Sequence, residues 1–179
     1  MDTYKLRWTR LQAETFSLLC LKAGEKLSQR EIAKALKVSP TAVANSLKTL
    51  KNENLIKIEK TKTINFVSFN RDEKKAIELK RIENLRNIYL SGLLDFLKAP
   101  LAGATLILFG SYSLGEDTET SDIDLAVIGR KAKELDLEKF EAILNRKIYV
   151  NFYESWKKIH GHLKNNILNG ILLEGGVEL

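Results

Sequence analysis

Two carboxylates that share one face of a predicted strand, shortly after a Gly-Ser turn, constrain this chain more than any other feature. An apolar run, Leu106–Phe109, leads into the turn, and a second apolar segment carries Asp122 and Asp124. Successive side chains of a strand point to opposite faces, so these two aspartates share a face, roughly 6.6 Å apart along the strand. The pattern therefore predicts two strands, the second of which holds a pair of acidic side chains.

Both parts of this pattern suit phosphate chemistry. Paired carboxylates can bind one or two Mg²⁺ ions, which take the rest of their ligands from water and phosphate. The turn Gly110-Ser111 offers backbone N–H groups and a hydroxyl to phosphate oxygens. Because a lone D-x-D pair also occurs on ordinary protein surfaces, the prediction depends on the strand, the turn and both aspartates falling within about 20 residues.

This constellation resembles the nucleotidyltransferase superfamily that includes DNA polymerase beta, and more closely the minimal nucleotidyltransferases, whose signature is G-S followed by D-x-D. The resemblance implies that Gly110, Ser111 and Ser121 hold a nucleoside triphosphate. It implies that Asp122 and Asp124 are the catalytic residues and bind Mg²⁺, in a two-metal site if the protein is active. The acceptor would be a hydroxyl group of a protein or small molecule, and HEPN-type helical toxins are typical partners of the minimal family.

Active members of the family carry a third carboxylate on a later strand, where it helps to bind metal and can accept a proton. In this chain that strand is predicted over residues 147–153, where the two candidate positions hold Tyr149 and Asn151. Glu154 follows the strand and is the candidate for a displaced substitute. Since phosphoryl-type transfer depends on charge neutralisation, the missing acid predicts weak or lost transfer, while nucleotide binding is still expected.

The N-terminal part of the chain has the pattern of a helix-turn-helix. Ser28 and Glu31 form a predicted capping box on a short helix, and a second helix begins at Pro40 after a tight turn. Two segments that alternate apolar and polar residues, Leu55–Glu59 and Ile64–Phe69, predict a hairpin behind them. The arrangement resembles the winged helix-turn-helix transcription factors of archaea and bacteria.

That resemblance implies that the helix beginning at Pro40 enters the major groove of double-stranded DNA. Asn45 suits bidentate recognition of adenine, whereas lysines contact phosphates and fix the register. The predicted DNA-binding residues are Thr41, Asn45, Lys48, Lys51, Lys60 and Lys62.

The distribution of charge favours a polyanionic partner for the same region. Residues 1–70 hold 13 Lys and Arg against 6 Asp and Glu, whereas residues 71–179 hold 16 against 17. A solubilising surface would give the same asymmetry, and winged helices also mediate protein contacts.

The sequence predicts an α+β chain in three parts. These are a winged helix-turn-helix over 1–70, a connecting helix over 71–100, and a nucleotidyltransferase-like mixed sheet flanked by helices over 101–179. Apolar residues recur at helical spacing through 72–98, so this stripe is expected to be buried, either on the catalytic sheet or against a second chain in a homodimer.

Two functions remain open at this point. One is a DNA-binding regulator whose transferase domain binds NTP and Mg²⁺ with weak or lost activity. The alternative is an active nucleotidyltransferase that moves an NMP from an NTP to a hydroxyl. No run of about 18 apolar residues is present, and the single cysteine, Cys20, lies in an apolar segment, so a cytoplasmic protein without membrane contact is expected.

Overall fold

The computed structural model describes residues 8–178, and these form two compact units that divide after Lys80. The first unit contains three helices, α1 (Arg10–Leu21), α2 (Gln29–Leu36) and α3 (Pro40–Asn52). Its three strands are β1 (Leu27–Ser28), β2 (Ile56–Lys60) and β3 (Asn65–Phe69). Helix α4 (Lys74–Leu90) begins in this unit and continues into the second.

Side-chain caps fix the starts of the two central helices of the first unit. The Ser28 hydroxyl accepts the N–H of Glu31 at 3.2 Å, and the Glu31 carboxylate accepts the N–H of Ser28 at 2.7 Å, which confirms the predicted capping box. The Ser39 hydroxyl accepts the N–H of Ala42 at 3.2 Å, and Pro40 occupies the first turn, where its missing N–H leaves no donor unsatisfied.

The strands form a small antiparallel sheet in the order β1-β3-β2, with Leu27 and Ile58 both opposite Val67. The hairpin of β2 and β3 is the predicted wing, and the short β1 was not foreseen. The three helices and the sheet enclose one core, whose buried members include Phe16, Leu19, Cys20, Ile32, Val43, Leu47, Leu50, Leu55 and Val67. The predicted winged helix-turn-helix fold is therefore confirmed.

The second unit is built on a four-stranded mixed sheet. Its strands are β4 (Thr105–Phe109), β5 (Ile123–Ile128), β6 (Ile148–Tyr153) and β7 (Ile171–Glu174), in the order β6-β5-β4-β7. Strand β4 is antiparallel to β5 and β7, and β6 is parallel to β5. The helices of this unit, besides the end of α4, are α5 (Leu93–Lys98), α6 (Gly110–Leu114), α7 (Glu138–Leu144) and α8 (Gly161–Leu168), with a 3-10 turn at Trp156–Lys158.

The sheet has an apolar cluster on each face. Leu125 and Val127 belong to the larger cluster, which also holds residues of α5 and α7. Ala126 and Ile128 belong to the smaller cluster, with Trp156 and other residues near α8. Because side chains alternate along β5, the two aspartates share the face of the smaller cluster. This packing sets the side of the sheet on which the acidic site lies.

The predicted helix over 72–98 is wrong in one respect, because it is interrupted. Gly92 has φ +76°, a left-handed conformation that ends α4 and starts α5. Gly92 is the N-cap of α5, and the Ser91 hydroxyl before it accepts the N–H of Leu93, the first residue of the helix, at 3.2 Å.

The expected burial of the apolar stripe in this segment is only partly correct. Ile88 and Leu93 are fully buried, whereas Ile82 is 62% exposed and Tyr89 is 51% exposed. Ile82 and Tyr89 both lie on α4, before the interruption at Gly92, so the stripe is not buried along the whole of this helix.

The chain between β6 and β7 does not form one continuous helix. Ile159 and His160 have extended backbone conformations between the 3-10 turn and α8. Gly161 follows, and glycine is a poor helix former, which favours the break. The extended residues allow Ile159 and Ile167 to join the same apolar cluster. Within residues 8–178, no helix is both long and apolar enough to cross a membrane.

Candidate nucleotide site and DNA-binding surface

Gly110 lies where β4 meets the paired carboxylates of the next strand. Phe109, the last residue of β4, is opposite Asp124 in the antiparallel ladder. Gly110 has φ +73°, and a Cβ added there would lie 2.8 Å from Oδ2 of Asp124. Only glycine meets both requirements without strain, because it tolerates the left-handed region and has no side chain. The backbone of the turn therefore approaches the carboxylate directly.

The serines around the turn have different surroundings. Ser111 is half-buried in the first turn of α6, whereas the Ser113 hydroxyl donates to the carbonyl of Gly110 at 2.8 Å. The Ser121 hydroxyl accepts the N–H of Thr118 at 2.9 Å and so closes the turn that leads into Asp122. In this structure Ser121 thus shapes the loop, and its predicted contact with a nucleotide stays a prediction.

The two aspartates differ in their environment. Asp122 is exposed and precedes β5, whereas Asp124 is half-buried within the strand. Burial raises the pKa of the Asp124 carboxyl above its ordinary value, and the negative charge of Asp122 raises it further. A cation bound between these two carboxylates would offset their repulsion and stabilise their ionised forms.

The pairing of β5 with β6 identifies the residue beside Asp124. Tyr149 is the partner of Asp124 in the parallel register, and Asn151 is the partner of Ala126. Partners in a parallel ladder point to the same face, so Tyr149 lies on the side of the sheet that carries the aspartates. Of the two candidate positions for a third acid, Tyr149 is thus the one adjacent to the pair.

Glu154 lies beyond the end of β6, and its carboxylate forms an ion pair with Lys158. Among the described residues, no group of three or more His, Cys, Asp or Glu side chains is placed to hold a metal ion. The acidic site therefore has two carboxylates in residues 8–178, without the third that the resemblance implies for active members.

Tyr153 is a residue of this site that the sequence analysis missed. It lies four residues after Tyr149 on β6, so both point to the same face. Burial raises the pKa of the Tyr153 phenol, and the negative charge of Asp124 adds to the effect. The alternating aromatic positions on a strand already predicted to flank the site were the signal that could have identified it.

The predicted DNA-binding residues lie on the surface of the first unit. On α3, Thr41, Asn45, Lys48 and Lys51 are exposed, while Val43, Leu47 and Leu50 face the core. Lys60 ends β2 and Lys62 lies in the wing loop, and both are exposed.

One contact and one cleft bear on how this surface could bind DNA. The Asn45 side-chain oxygen accepts a hydrogen bond from Lys48 at 3.1 Å, so these two predicted contacts are adjacent. Arg30, which the sequence analysis did not name, is exposed and lines a shallow cleft with Thr63 and Asn65 of the wing.

Comparison with known proteins finds a family model similar to each part of the chain. The family model described as "Nucleotidyltransferase domain" matches residues 90–173, and that of "Bacterial regulatory proteins, gntR family" matches residues 19–65. No curated protein matched. A solved structure, a mutant of ZitR from Lactococcus lactis, is 22% identical with a TM-score of 0.41, and the match covers 56% of this chain and 66% of that one, just under two thirds. The chain thus joins a winged helix-turn-helix segment that matches the gntR family model to a domain that matches the nucleotidyltransferase model.

Proposed function

We propose that this protein is a DNA-binding regulator whose nucleotidyltransferase domain binds an NTP with Mg²⁺ and transfers nucleotide weakly or not at all. The observation that carries the proposal is the register of β5 and β6. Asp122 precedes β5 and Asp124 lies within it, but Tyr149, rather than an acid, lies directly beside Asp124. The domain thus keeps residues suited to binding and has lost one suited to transfer.

The residues present fit a magnesium-bound nucleotide. Asp122 and Asp124 supply the oxygen ligands that Mg²⁺ prefers, and the ion takes its remaining ligands from water and phosphate. The absence of a side chain at Gly110 leaves room next to Asp124, since a Cβ there would be 2.8 Å from its carboxylate oxygen. When bound, the ion would neutralise phosphate charge and orient the triphosphate.

Tyr149 is the reason to expect little transfer. A phenol can form hydrogen bonds, but it brings no carboxylate charge for a second metal ion and no carboxylate to accept a proton from an attacking hydroxyl. The two remaining aspartates would bind and orient the nucleotide, and those effects alone supply only part of the acceleration in phosphoryl-type transfer.

Calorimetry with ATP and with GTP, each with and without Mg²⁺, tests the binding half of the proposal. Wild type should bind in a metal-dependent way, and the double variant Asp122→Ala/Asp124→Ala should not. A matched control is Asp95→Ala/Asp136→Ala, which removes the same charge from two exposed positions outside the site. Absence of binding to wild type, or equal losses in both double variants, would contradict the proposed site.

An active nucleotidyltransferase is the second candidate, because the Gly-Ser turn and both aspartates are intact. An acceptor hydroxyl would attack the α-phosphorus of the NTP, forming a phosphodiester and releasing pyrophosphate, with its proton passing to water or to a carboxylate. The acceptor proposed from the family resemblance is a HEPN-type helical partner. Transfer of label from α-labelled ATP to such a partner, with no transfer by the Asp122→Ala/Asp124→Ala variant, would favour this candidate.

Restoring the third acid separates the two candidates. Tyr149→Asp should create or raise Mg²⁺-dependent transfer if the domain is a relic that lost this carboxylate. Asn151→Asp is the matched control, because it adds the same charge opposite Ala126 rather than opposite Asp124. Equal transfer activity in wild type and Tyr149→Asp would contradict the explanation that transfer was lost because position 149 holds no carboxylate.

The DNA-binding half rests on the match to a bacterial regulatory family and on the exposed polar face of α3. The proposed partner is duplex DNA. Asn45 would contact base edges, and the lysines of α3 and the wing would bind phosphates. Selection from a random duplex pool, followed by binding assays with Asn45→Ala, tests it. The variant should lose sequence preference more than total affinity, and a chain with no preference for any duplex would contradict sequence reading.

We also propose a homodimer. Helix-turn-helix proteins commonly bind paired half-sites as dimers, and this chain carries one such segment. Leu90 is 73% exposed and its neighbour Tyr89 is 51% exposed, so these two side chains at the end of α4 are the proposed contact. Analytical ultracentrifugation should find a dimer that Leu90→Glu weakens, and a wild-type monomer at micromolar concentration would exclude it. The proposed setting is the cytoplasm, where DNA and NTP occur together.

A further inference from the structure

A buried polar cluster ties helix α4 to the loop between β4 and β5. The side-chain amide of Asn84, 4% exposed, donates to the carbonyl of Tyr112 at 2.9 Å and to Oδ1 of Asp117 at 2.7 Å. Asp117 is itself buried, and Nη2 of the buried Arg146 lies 3.8 Å from its other carboxylate oxygen. One amide group thus holds two separate points of the same loop.

The two points lie on either side of the loop's centre. Tyr112 belongs to α6, the short helix that contains the Gly-Ser turn, whereas Asp117 immediately precedes the turn of residues 118–121. That turn leads directly into Asp122. A shift of the Asn84 amide would therefore move both the predicted phosphate-binding turn and the start of the acidic pair.

Stability alone does not account for this cluster. Taking a carboxylate and a guanidinium out of water costs free energy that their pairing offsets only in part, and apolar residues of similar volume often stabilise a core as well or better. The two hydrogen bonds of the Asn84 amide instead favour one arrangement of the loop, because breaking them would leave a buried amide and a buried carboxylate oxygen unsatisfied. The contacts of Asn84 and Asp117 thus select one conformation of the loop.

We propose that Asn84 is a positioning residue of the nucleotide site, and that it holds the segment 110–122 in the shape that binds phosphate. The inference rests on the proposed function, because it assumes that this segment receives an NTP. Asn84 acts through the backbone of Tyr112 and the side chain of Asp117, and it needs no contact with the nucleotide.

Calorimetry on two substitutions at this position provides the first test. Asn84→Ala removes both hydrogen bonds, and Asn84→Asp keeps the volume but cannot donate, so both should weaken Mg²⁺-ATP binding by about tenfold or more. Ile167→Val is the matched control, since Ile167 is fully buried in the apolar cluster on the other side of the sheet from Tyr112. The control should lower the melting temperature without weakening nucleotide binding.

Hydrogen exchange without nucleotide provides a test that is independent of the proposed function. Amides within 110–122 should exchange faster in both Asn84 variants than in wild type, and Ile167→Val should leave them unchanged. If wild type binds no nucleotide, the proposed function fails, while faster exchange confined to 110–122 still supports the positioning role. Wild-type exchange in this segment, or wild-type nucleotide affinity in the Asn84 variants, would overturn the inference.

Discussion

At the scale of single residues, Gly110 and Asp124 constrain each other. Gly110 has φ +73°, and a Cβ there would come within 2.8 Å of the Asp124 carboxylate. Asp124 in turn is partly removed from water beside the negative charge of Asp122, which raises its pKa. The close approach of the Gly110 backbone and the electrostatic cost of ionising Asp124 therefore concern the same carboxylate, and both can be measured.

Gly110→Ala should lower the free energy of unfolding by about 1–3 kcal/mol, because alanine is strained at this backbone conformation and its methyl group displaces the Asp124 carboxylate. Urea unfolding measures the loss, and calorimetry should find weaker Mg²⁺-ATP binding. Gly161→Ala is the matched control, because Gly161 begins α8 with nothing within 4 Å of an added Cβ. That change should be neutral or slightly stabilising, and an equal loss in both variants would refute the explanation.

Asp124→Asn should raise the melting temperature of the metal-free protein at neutral pH. The raised pKa means that the folded state favours the protonated carboxyl. The stability that Asp124 contributes is therefore fully present below its ordinary pKa of 3.8 and is lost as the pH rises through the raised pKa. Thermal unfolding in chelator from pH 3 to pH 8 should show that the higher melting temperature of Asp124→Asn, relative to wild type, disappears toward pH 3. Added Mg²⁺ should stabilise wild type and not the variant, and an advantage that persisted at pH 3 would point to another cause.

At the scale of elements, the start of α3 matters for both fold and recognition. The Ser39 hydroxyl caps the helix by accepting the N–H of Ala42. Thr41 and Asn45, two of the predicted DNA contacts, lie within the first two turns of this helix. Ser39→Ala should therefore lower the free energy of unfolding by about 1 kcal/mol and also weaken the proposed DNA binding, since the helix end that is proposed to enter the groove would fray.

The control for this prediction is Ser28→Ala, which removes the equivalent cap from α2. Chemical denaturation should find similar losses for the two variants, because both caps satisfy one helix N–H. Fluorescence anisotropy with a selected duplex should find the larger loss of affinity for Ser39→Ala. Equal losses of affinity would mean that overall stability, rather than the shape of α3, governs binding.

At the scale of the whole molecule, charge and the proposed ligands are divided along the chain. Residues 1–70 carry the excess of Lys and Arg, so DNA affinity should fall steeply with salt. Lys48→Gln/Lys51→Gln should reduce the slope of log affinity against log salt by about 2, because each of the two lysines would no longer neutralise a phosphate. Lys131→Gln/Lys133→Gln removes the same charge from exposed positions of the second unit and should leave the slope unchanged.

If bound nucleotide controls DNA binding, the two ligands must influence each other's affinity. If a saturating NTP changes the DNA affinity by some factor, saturating DNA must change the NTP affinity by the same factor, because the coupling free energy is reciprocal. Titrations in both orders measure the two factors. Factors of one in both directions would leave two independent binding domains and contradict nucleotide control of DNA binding.

Local patterns in the sequence determined a large part of this protein. The capping box of Ser28 and Glu31, the start of α3 at Pro40 and the placement of Asp122 and Asp124 beside a glycine turn all depend on neighbouring residues, whose periodicity and chemistry are directly readable. Such features need no knowledge of distant contacts, which is why they were predictable.

Tertiary structure alone decided which residues far apart in the chain would meet. The register of β6 brings Tyr149 beside Asp124, whereas a register shifted by two positions would have brought Asn151 there on the same face. The contact of Asn84 with Asp117 joins residues 33 positions apart, and no local pattern marks it. Sequence therefore determined the chemical groups of the site, while the pairing of strands and the packing of α4 determined their neighbours, because those choices depend on the free energy of the whole fold.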